Sequence, residues 1–157
     1  MFSTENFRMA EFLASDTARK LGIPNTPTPE HAINLQRTMK YMEVVRQMGH
    51  GPIHITSGYR SPEVNRLVGG VADSDHALGH ACDFFFTKWP TRFAAPELAA
   101  ALAGHPTLFV PFDQFILEQD RGVMHISFHP RHRRQIKTQL GGPGAPIVEG
   151  IKWTGQE

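Results

Sequence analysis

The chain has 157 residues, with 16 lysines and arginines against 15 aspartates and glutamates. This length predicts one domain, and a composition of 40% hydrophobic and 20% charged residues excludes an intrinsically disordered chain. The near-neutral charge argues against a nucleic-acid binder with a basic surface, and the single cysteine excludes a disulfide framework and a multi-cysteine zinc site. No apolar run approaches the ~18 residues of a membrane span, so we expect no membrane insertion.

The first half of the chain is predicted to be helical. Ser3 or Thr4 can cap a helix that runs to residue 13, and Ser15 or Asp16 can cap a second one that ends at Gly22. After a proline-rich loop, Thr28 followed by a proline opens the longest predicted helix, which ends at Gly49.

The second half contains most of the predicted strands, at 53–57, 81–86, 112–118, 123–128 and 134–140. Two further helices are predicted, one from Ser61 to the glycines at 69–70 and one at 96–103. Helices followed by antiparallel strands predict an α+β fold with the helices on one face of a small, mainly antiparallel sheet. We expect one domain over residues 1–140, then a Gly/Pro-rich linker and a loosely held tail over 141–157.

A candidate metal site lies in the segment SDHALGHACD, residues 74–83. His76 precedes Asp83 by seven residues, and His125 lies on a separate predicted strand. Imidazole nitrogen and carboxylate oxygen suit Zn²⁺, and three protein ligands leave a fourth position for catalysis. The spacing alone also fits a solvated or structural histidine.

Strand alternation separates the neighbours of Asp83. In a strand over 81–86, Asp83 lies on one face, while Cys82 lies on the other with two phenylalanines. Cys82 is therefore predicted to be a core residue. His80 is two residues before Cys82 and would lie on the same face of the strand, so it is not expected to be a metal ligand.

Three blocks of sequence carry a resemblance to a known family: SGYRSPEVNRLVGG at 57–70, SDHALGHACD at 74–83, and MHIS at 124–127. They resemble the zinc D-Ala-D-Ala carboxypeptidases and phage cell-wall endopeptidases, which share a fold with the hedgehog signalling domain. The family pattern S-x-H-x-x-G-x-A-x-D is met at every fixed position, by Ser74, His76, Gly79, Ala81 and Asp83. The resemblance covers about residues 5–140.

The resemblance implies a metallopeptidase with one zinc ion held by His76, Asp83 and His125. Zinc polarises the scissile carbonyl and supplies a hydroxide-like nucleophile. Arg60 matches the family arginine that steadies the carbonyl oxygen or a substrate carboxylate, with a structural ion pair as the alternative. Ser74 is expected to support the ligands or bind substrate, and a simple turn hydroxyl is an equally good interpretation.

The general base is where the sequence departs from the family pattern. Many members carry Asp or Glu three residues before the last ligand histidine, and that position here is Gly122. If 119–122 form a four-residue hairpin loop, Glu118 pairs with residue 123 and shares a sheet face with His125. Glu118 is therefore the predicted base, and Asp120, in the loop, is the alternative. A register shift of one residue would reverse the face.

The substrate implied by the resemblance is the stem peptide of bacterial peptidoglycan, with the bond that is cut left open. No secretory signal is visible, so we expect a phage endolysin awaiting release in the host cytoplasm, or a lysin that partners virion proteins. The alternative is a non-catalytic, zinc-stabilised structural or binding module of a phage particle. A nucleic-acid protein using the basic segment HPRHRR, residues 129–134, is a weaker idea, and we expect no nucleic-acid partner.

Overall fold

The computed structural model describes residues 2–107, 109–142 and 144–154, and it confirms the predicted α+β fold. The helices are α1 (Met9–Leu13), α2 (Asp16–Leu21), α3 (Pro29–Met48), α4 (Pro62–Leu67), α5 (Asp75–Leu78) and α6 (Thr91–Gly104). The strands are β1 (Ile53–Ser57), β2 (Ala81–Phe86), β3 (Gln114–Glu118), β4 (Val123–Ser127), β5 (Gln135–Gln139) and β6 (Ile147–Glu149). Among the described residues, no helix is both long enough and apolar enough to cross a membrane.

The strands form one six-stranded sheet in the order β1-β2-β4-β3-β5-β6. Four of the five pairings are antiparallel, and β3 and β5 run parallel. The sheet is therefore mainly antiparallel, as predicted. The β3–β4 hairpin has the predicted register, with Glu118 opposite Val123 and Ile116 opposite His125.

The two faces of the sheet have different roles. One face carries Cys82, Phe84 and the other alternate residues of the central strands, and it is covered by α3 and α6. The covering stripe of α3 recurs every three or four residues, at Leu35, Met39, Met42 and Val45. Cys82 is a core residue, as predicted, and burial raises the pKa of its thiol well above the usual value. The opposite face is left for a functional site.

The N-terminal helix is shorter than predicted. The predicted caps Ser3 and Thr4 are wrong, because Ser3 instead forms an isolated bridge with Arg8. The Arg8 backbone amide donates to the Glu11 carboxylate at 2.7 Å where α1 begins. The turn before α1 buries Phe7, which is 2% exposed. Packing of this ring therefore outweighs the preference of Ser3 or Thr4 to begin a helix.

Helix α6 is longer than predicted because it runs through Pro96 from Thr91. The proline removes one backbone hydrogen bond, but Ala94 and Ala95 are fully buried in the core ahead of it. The Thr91 hydroxyl also ties the helix start to the carbonyl oxygen of Gly122 at 2.7 Å. Tertiary contacts thus extend α6 beyond the 96–103 helix that the local sequence predicts.

The tail is not loosely held in the part that the structure describes. Strand β6 pairs with β5, and the Thr138 hydroxyl donates to the Gly150 carbonyl oxygen at 2.8 Å. Trp153 packs, partly buried, against the core. A three-residue strand carries almost no sequence signal of its own, and its structure depends on the partner strand.

Candidate active site

The motif around His76 forms a short helix that is held against α3. The Ser74 hydroxyl accepts a hydrogen bond from the His76 backbone amide at 3.2 Å and caps α5. Gly79 ends α5 in the left-handed conformation, with φ of 82°. A Cβ atom at Gly79 would lie 2.5 Å from the carbonyl oxygen of His31 on α3. The serine and glycine of the motif therefore serve to place the histidine.

The segment that carries Arg60 is fixed by close backbone packing. A Cβ atom at Gly58 would lie 2.3 Å from the carbonyl oxygen of Phe12, and the Tyr59 amide donates to that same oxygen at 2.7 Å. The Asn25 side chain, in the proline-rich loop, donates to the Tyr59 carbonyl oxygen at 2.9 Å. The Gly58 carbonyl is thereby left to accept a hydrogen bond from His76 Nδ1 at 2.7 Å.

His76, Asp83 and His125 meet on the open face of the sheet. Asp83 on β2 is directly opposite His125 on β4, and its Oδ1 lies 2.9 Å from His125 Nδ1. The same Oδ1 lies 3.2 Å from His76 Nε2. One donor atom from each residue lies within 4.8 Å of the other two.

This arrangement fits a zinc ion. The Gly58 carbonyl can only accept, so His76 Nδ1 carries a proton, and in the neutral ring Nε2 faces a carboxylate oxygen with a lone pair. Two such acceptors are satisfied by a proton or by a metal cation between them, and the metal leaves the ring neutral. Donors bound to one tetrahedral zinc at ~2.0–2.1 Å lie ~3.3 Å apart, close to the 3.2 and 2.9 Å that separate Asp83 Oδ1 from the two histidine nitrogens. The Gly58 carbonyl is the outer partner that orients a ligand histidine.

The electrostatics also favour a cation at this position. Burial alone would raise the pKa of Asp83, but the charge of His76 and the hydrogen bonds from both histidines hold that pKa well below its usual range. Burial opposes the charged form of His125, yet its hydrogen bond to Asp83 raises its pKa overall. The site thus keeps a buried anion ready for a positive partner.

Two arginines reach the other oxygen of Asp83. Nη2 of Arg60 lies 3.6 Å from Asp83 Oδ2, and Nη2 of Arg121 lies 3.4 Å from it. Arg121 also donates to Glu118 Oε2 at 2.5 Å, so it bridges the metal cluster and the predicted base. Sequence reasoning missed Arg121, because its position depends on the 3₁₀ turn after Glu118 that aims it back over the sheet.

Most of the remaining predicted residues lie around a large cleft of about 690 Å³. Arg60, Glu118, Asp120 and Arg121 all line it. Asp120 lies exposed in the turn, whereas the Glu118 side chain is only 21% exposed. Ser74 lines a second, smaller cleft of about 260 Å³, which also contains His125. Glu118 and the metal ligands thus share the open face, as the hairpin register predicts.

The basic segment 129–134 uses its arginines within the fold. Arg133 makes a paired contact with Asp113, at 2.9 and 2.7 Å. Arg131 bridges Asp113 at 3.1 Å and Asp75 at 3.0 Å, and Arg134 donates to main-chain carbonyls near the end of α6. His80 is separate from the metal cluster and packs against the ring of His129.

Comparison with known families identifies the chain. The family model described as Peptidase M15 matches residues 5–116, well over half of the sequence. The chain belongs to the M15 peptidase family. A comparison with curated proteins found no match.

The M15 match covers Arg60, His76 and Asp83 and ends before Glu118 and His125. The last two are placed by the β3–β4 hairpin, which brings them to the same face as the matched residues. M15 peptidases are zinc-dependent hydrolases, and the donor set of this chain is of the kind that zinc prefers. The resemblance seen in the sequence is thus confirmed at the level of the family.

Proposed function

We propose that this M15 peptidase is zinc-dependent and hydrolyses peptide bonds in the stem peptides of bacterial peptidoglycan. The observation that carries the proposal is the His76–Asp83–His125 cluster, with Arg60 3.6 Å from Asp83 and Glu118 on the same sheet face, where both border an open cleft. When bound, zinc supplies Lewis acidity toward a carbonyl and lowers the pKa of water. The protein supplies the remaining groups.

Glu118 is the proposed general base. Arg121 holds one carboxylate oxygen, Oε2, which leaves Oε1 to take a proton from the attacking water and return it to the leaving amine. Asp120 is the alternative base, but it is exposed in the turn and has no strand register to direct it.

Arg60 is proposed to bind the substrate. Its side chain is 19% exposed and lines the large cleft, so a guanidinium edge is available to a carbonyl oxygen or a carboxylate. Its backbone amide donates to the His76 carbonyl oxygen at 3.1 Å, which fixes it relative to the metal ligand. Fixed donors beside the reacting carbonyl stabilise the charge that develops there.

The peptidoglycan substrate and the phage setting rest on the sequence resemblance and on the site charge. With zinc bound, two arginines and a dication outweigh Asp83 and Glu118, so the site favours anionic peptides, and stem peptides carry free carboxylates. A phage-encoded endolysin or virion-associated lysin is the setting that we propose. The alternative is a non-catalytic zinc module of a phage particle, and Glu118 on the same face as His125 favours the enzyme.

The test is incubation of the zinc-loaded protein with purified muropeptides, with and without a chelator, followed by mass spectrometry of the products. We expect cleavage that the chelator removes and that added zinc restores. Tight zinc binding without cleavage of any stem peptide would support the non-catalytic module. Metal-independent cleavage would refute the proposed chemistry.

A further inference from the structure

Two of the proposed metal ligands belong to a row of paired residues that crosses the sheet. This metal row consists of Asp83, His125 and Ile116 on β2, β4 and β3. Asp83 pairs with His125, and His125 pairs with Ile116 of β3. Gln114 and Glu118 lie two residues to either side of Ile116 and therefore share its face. They are separated along the strand by ~13 Å, about the length of four extended residues.

The two clefts lie on opposite sides of this row. The larger cleft contains Glu118 and, on the neighbouring strand, Gln139. The smaller one contains Gln114 and reaches the row itself at His125. A chain laid along β3 would thus occupy one cleft, cross the ligands, and enter the other.

One loop forms a wall of both clefts. Val68 lines the larger cleft and Val71 lines the smaller, and their side chains are exposed to 45% and 67%. The loop is held by Asn65, whose side chain donates to the Val71 carbonyl oxygen at 2.6 Å. Its backbone carbonyl accepts from the Gly70 amide at 2.8 Å. This loop thus gives the two clefts a common apolar wall, which its hydrogen bonds to Asn65 hold in place.

The charges in the smaller cleft do not suit a chain terminus. The cations that line it, apart from His125, are Arg131 and Arg133, and both are paired with Asp75 or Asp113. A terminal carboxylate held there would have to break one of these pairs. The larger cleft extends past Arg60 to Ser15 and Asp16 at the start of α2, which is more room than a single terminal residue needs.

We propose that the substrate chain continues on both sides of the metal row, so that this M15 peptidase is an endopeptidase. The inference rests on the proposed function and names its substrate as an extended peptide cut at an internal bond. Hydrolysis adds the oxygen of water to the acyl carbon and a proton to the leaving amine, so one chain ends in a new carboxylate and the other in a new amine.

The test compares synthetic stem peptides that differ only at their ends. One has a free C-terminal carboxylate, one is amidated there, and one is extended by two residues at both ends. We expect cleavage at an internal bond, no loss of kcat/KM on amidation, and a gain of about tenfold on extension. Release of the terminal residue alone, abolished by amidation, would overturn the endopeptidase assignment while leaving the enzyme a peptidase. Failure to cut any of the three would instead count against the proposed function.

A groove-blocking variant gives a second readout through binding. Val71→Trp should narrow the smaller cleft, and Ile33→Trp on α3, 58% exposed and outside both clefts, is the matched control. Calorimetry in the Glu118→Gln background measures the Kd of peptides extended at one end only. One peptide series is extended only at the N-terminus and the other only at the C-terminus. We expect Val71→Trp to raise the Kd of one series about tenfold more than that of the other, and Ile33→Trp to change neither Kd. Equal effects on both series would contradict a chain that crosses the row.

Discussion

At the scale of single residues, Arg121 has an unusual position, because its Nη2 contacts both the candidate metal ligand Asp83 and the proposed base Glu118. Burial works against the charged form of Arg121, but its hydrogen bond to Glu118 raises its pKa overall. Arg121 therefore stays cationic and fixes the Glu118 carboxylate relative to the cluster. In the proposed mechanism Glu118 carries the proton, and Arg121 holds its carboxylate in place.

Glu118→Gln should keep bound zinc and lose turnover. The amide retains the side-chain shape but cannot accept the proton from water, so we expect kcat to fall by about 10²–10⁴-fold. Zinc content by plasma emission and hydrolysis of a muropeptide measure the two effects. Asp120→Asn is the matched control in the same cleft, and loss of turnover there alone would move the base to Asp120.

Gly79→Ala should be more damaging than an alanine at another left-handed glycine. Both Gly79 and Gly22 end helices with positive φ, 82° and 65°, so alanine costs ~1–2 kcal/mol of backbone strain at each. Only at Gly79 does the new methyl group also meet a backbone oxygen, at 2.5 Å. Urea denaturation should show a larger loss of unfolding free energy for Gly79→Ala, with weaker zinc binding. Equal losses would show that the contact with α3 is unimportant.

At the scale of elements, the loop between β4 and β5 is built around one buried carboxylate. Asp113 is fully buried, accepts hydrogen bonds from Arg133 and forms an ion pair with Arg131. Arg131 also contacts Asp75, beside the candidate ligand His76. Burial alone would raise the pKa of Asp113, but the arginine hydrogen bonds and charges lower it. The loop thus connects the start of the central strand β3 to α5.

Asp113→Asn should destabilise the protein in a pH-dependent way. At neutral pH we expect a loss of about 2 kcal/mol, because hydrogen bonds to charged partners are removed. A lowered folded-state pKa means that the contribution is complete above the unfolded pKa of ~3.9 and disappears as pH falls through the folded value. Urea denaturation of both proteins at several pH values should show the difference shrinking toward acid. A difference that is constant with pH would contradict the charge-based origin.

The sequence predicts those elements whose signals are local. Ser15 caps α2 and Thr28 caps α3, as expected, and the four-residue turn fixes the register that sets Glu118 beside His125. Helix α5, with four residues, and β6, with three, are too short for a periodic pattern. The contact of Arg121 with Asp83 joins residues 38 positions apart, which no local pattern encodes.

At the scale of the whole molecule, the sheet separates stability from chemistry. The helix-covered face contains the apolar core, and the open face contains a buried anion with two histidines. Without a cation, the buried Asp83 depends on its histidine and arginine neighbours for compensation. The stability of the whole fold should therefore depend on the bound metal.

Chelation should lower the melting temperature. A metal present at a thousandfold its Kd adds ~4 kcal/mol to the free energy of unfolding, or about 10 °C for a domain of this size. Scanning calorimetry with and without a chelator measures the shift. His125→Ala, which removes one donor, is the control and should melt at the same temperature in both conditions. A chelator effect of equal size in that variant would place the metal elsewhere.

The spacing of the three ligands along the chain has a consequence for the order of assembly. His76 and Asp83 are separated by seven positions, but His125 lies 42 positions beyond Asp83. When β2 has emerged from the ribosome during synthesis, only two of the three donors, His76 and Asp83, are available. Two donors are too few for a structural or catalytic zinc site. Tight metal capture must wait until the β3–β4 hairpin docks on β2. With the proposed zinc chemistry, the peptidase would gain its metal, and with it the capacity to cut, only after most of the chain has been synthesised.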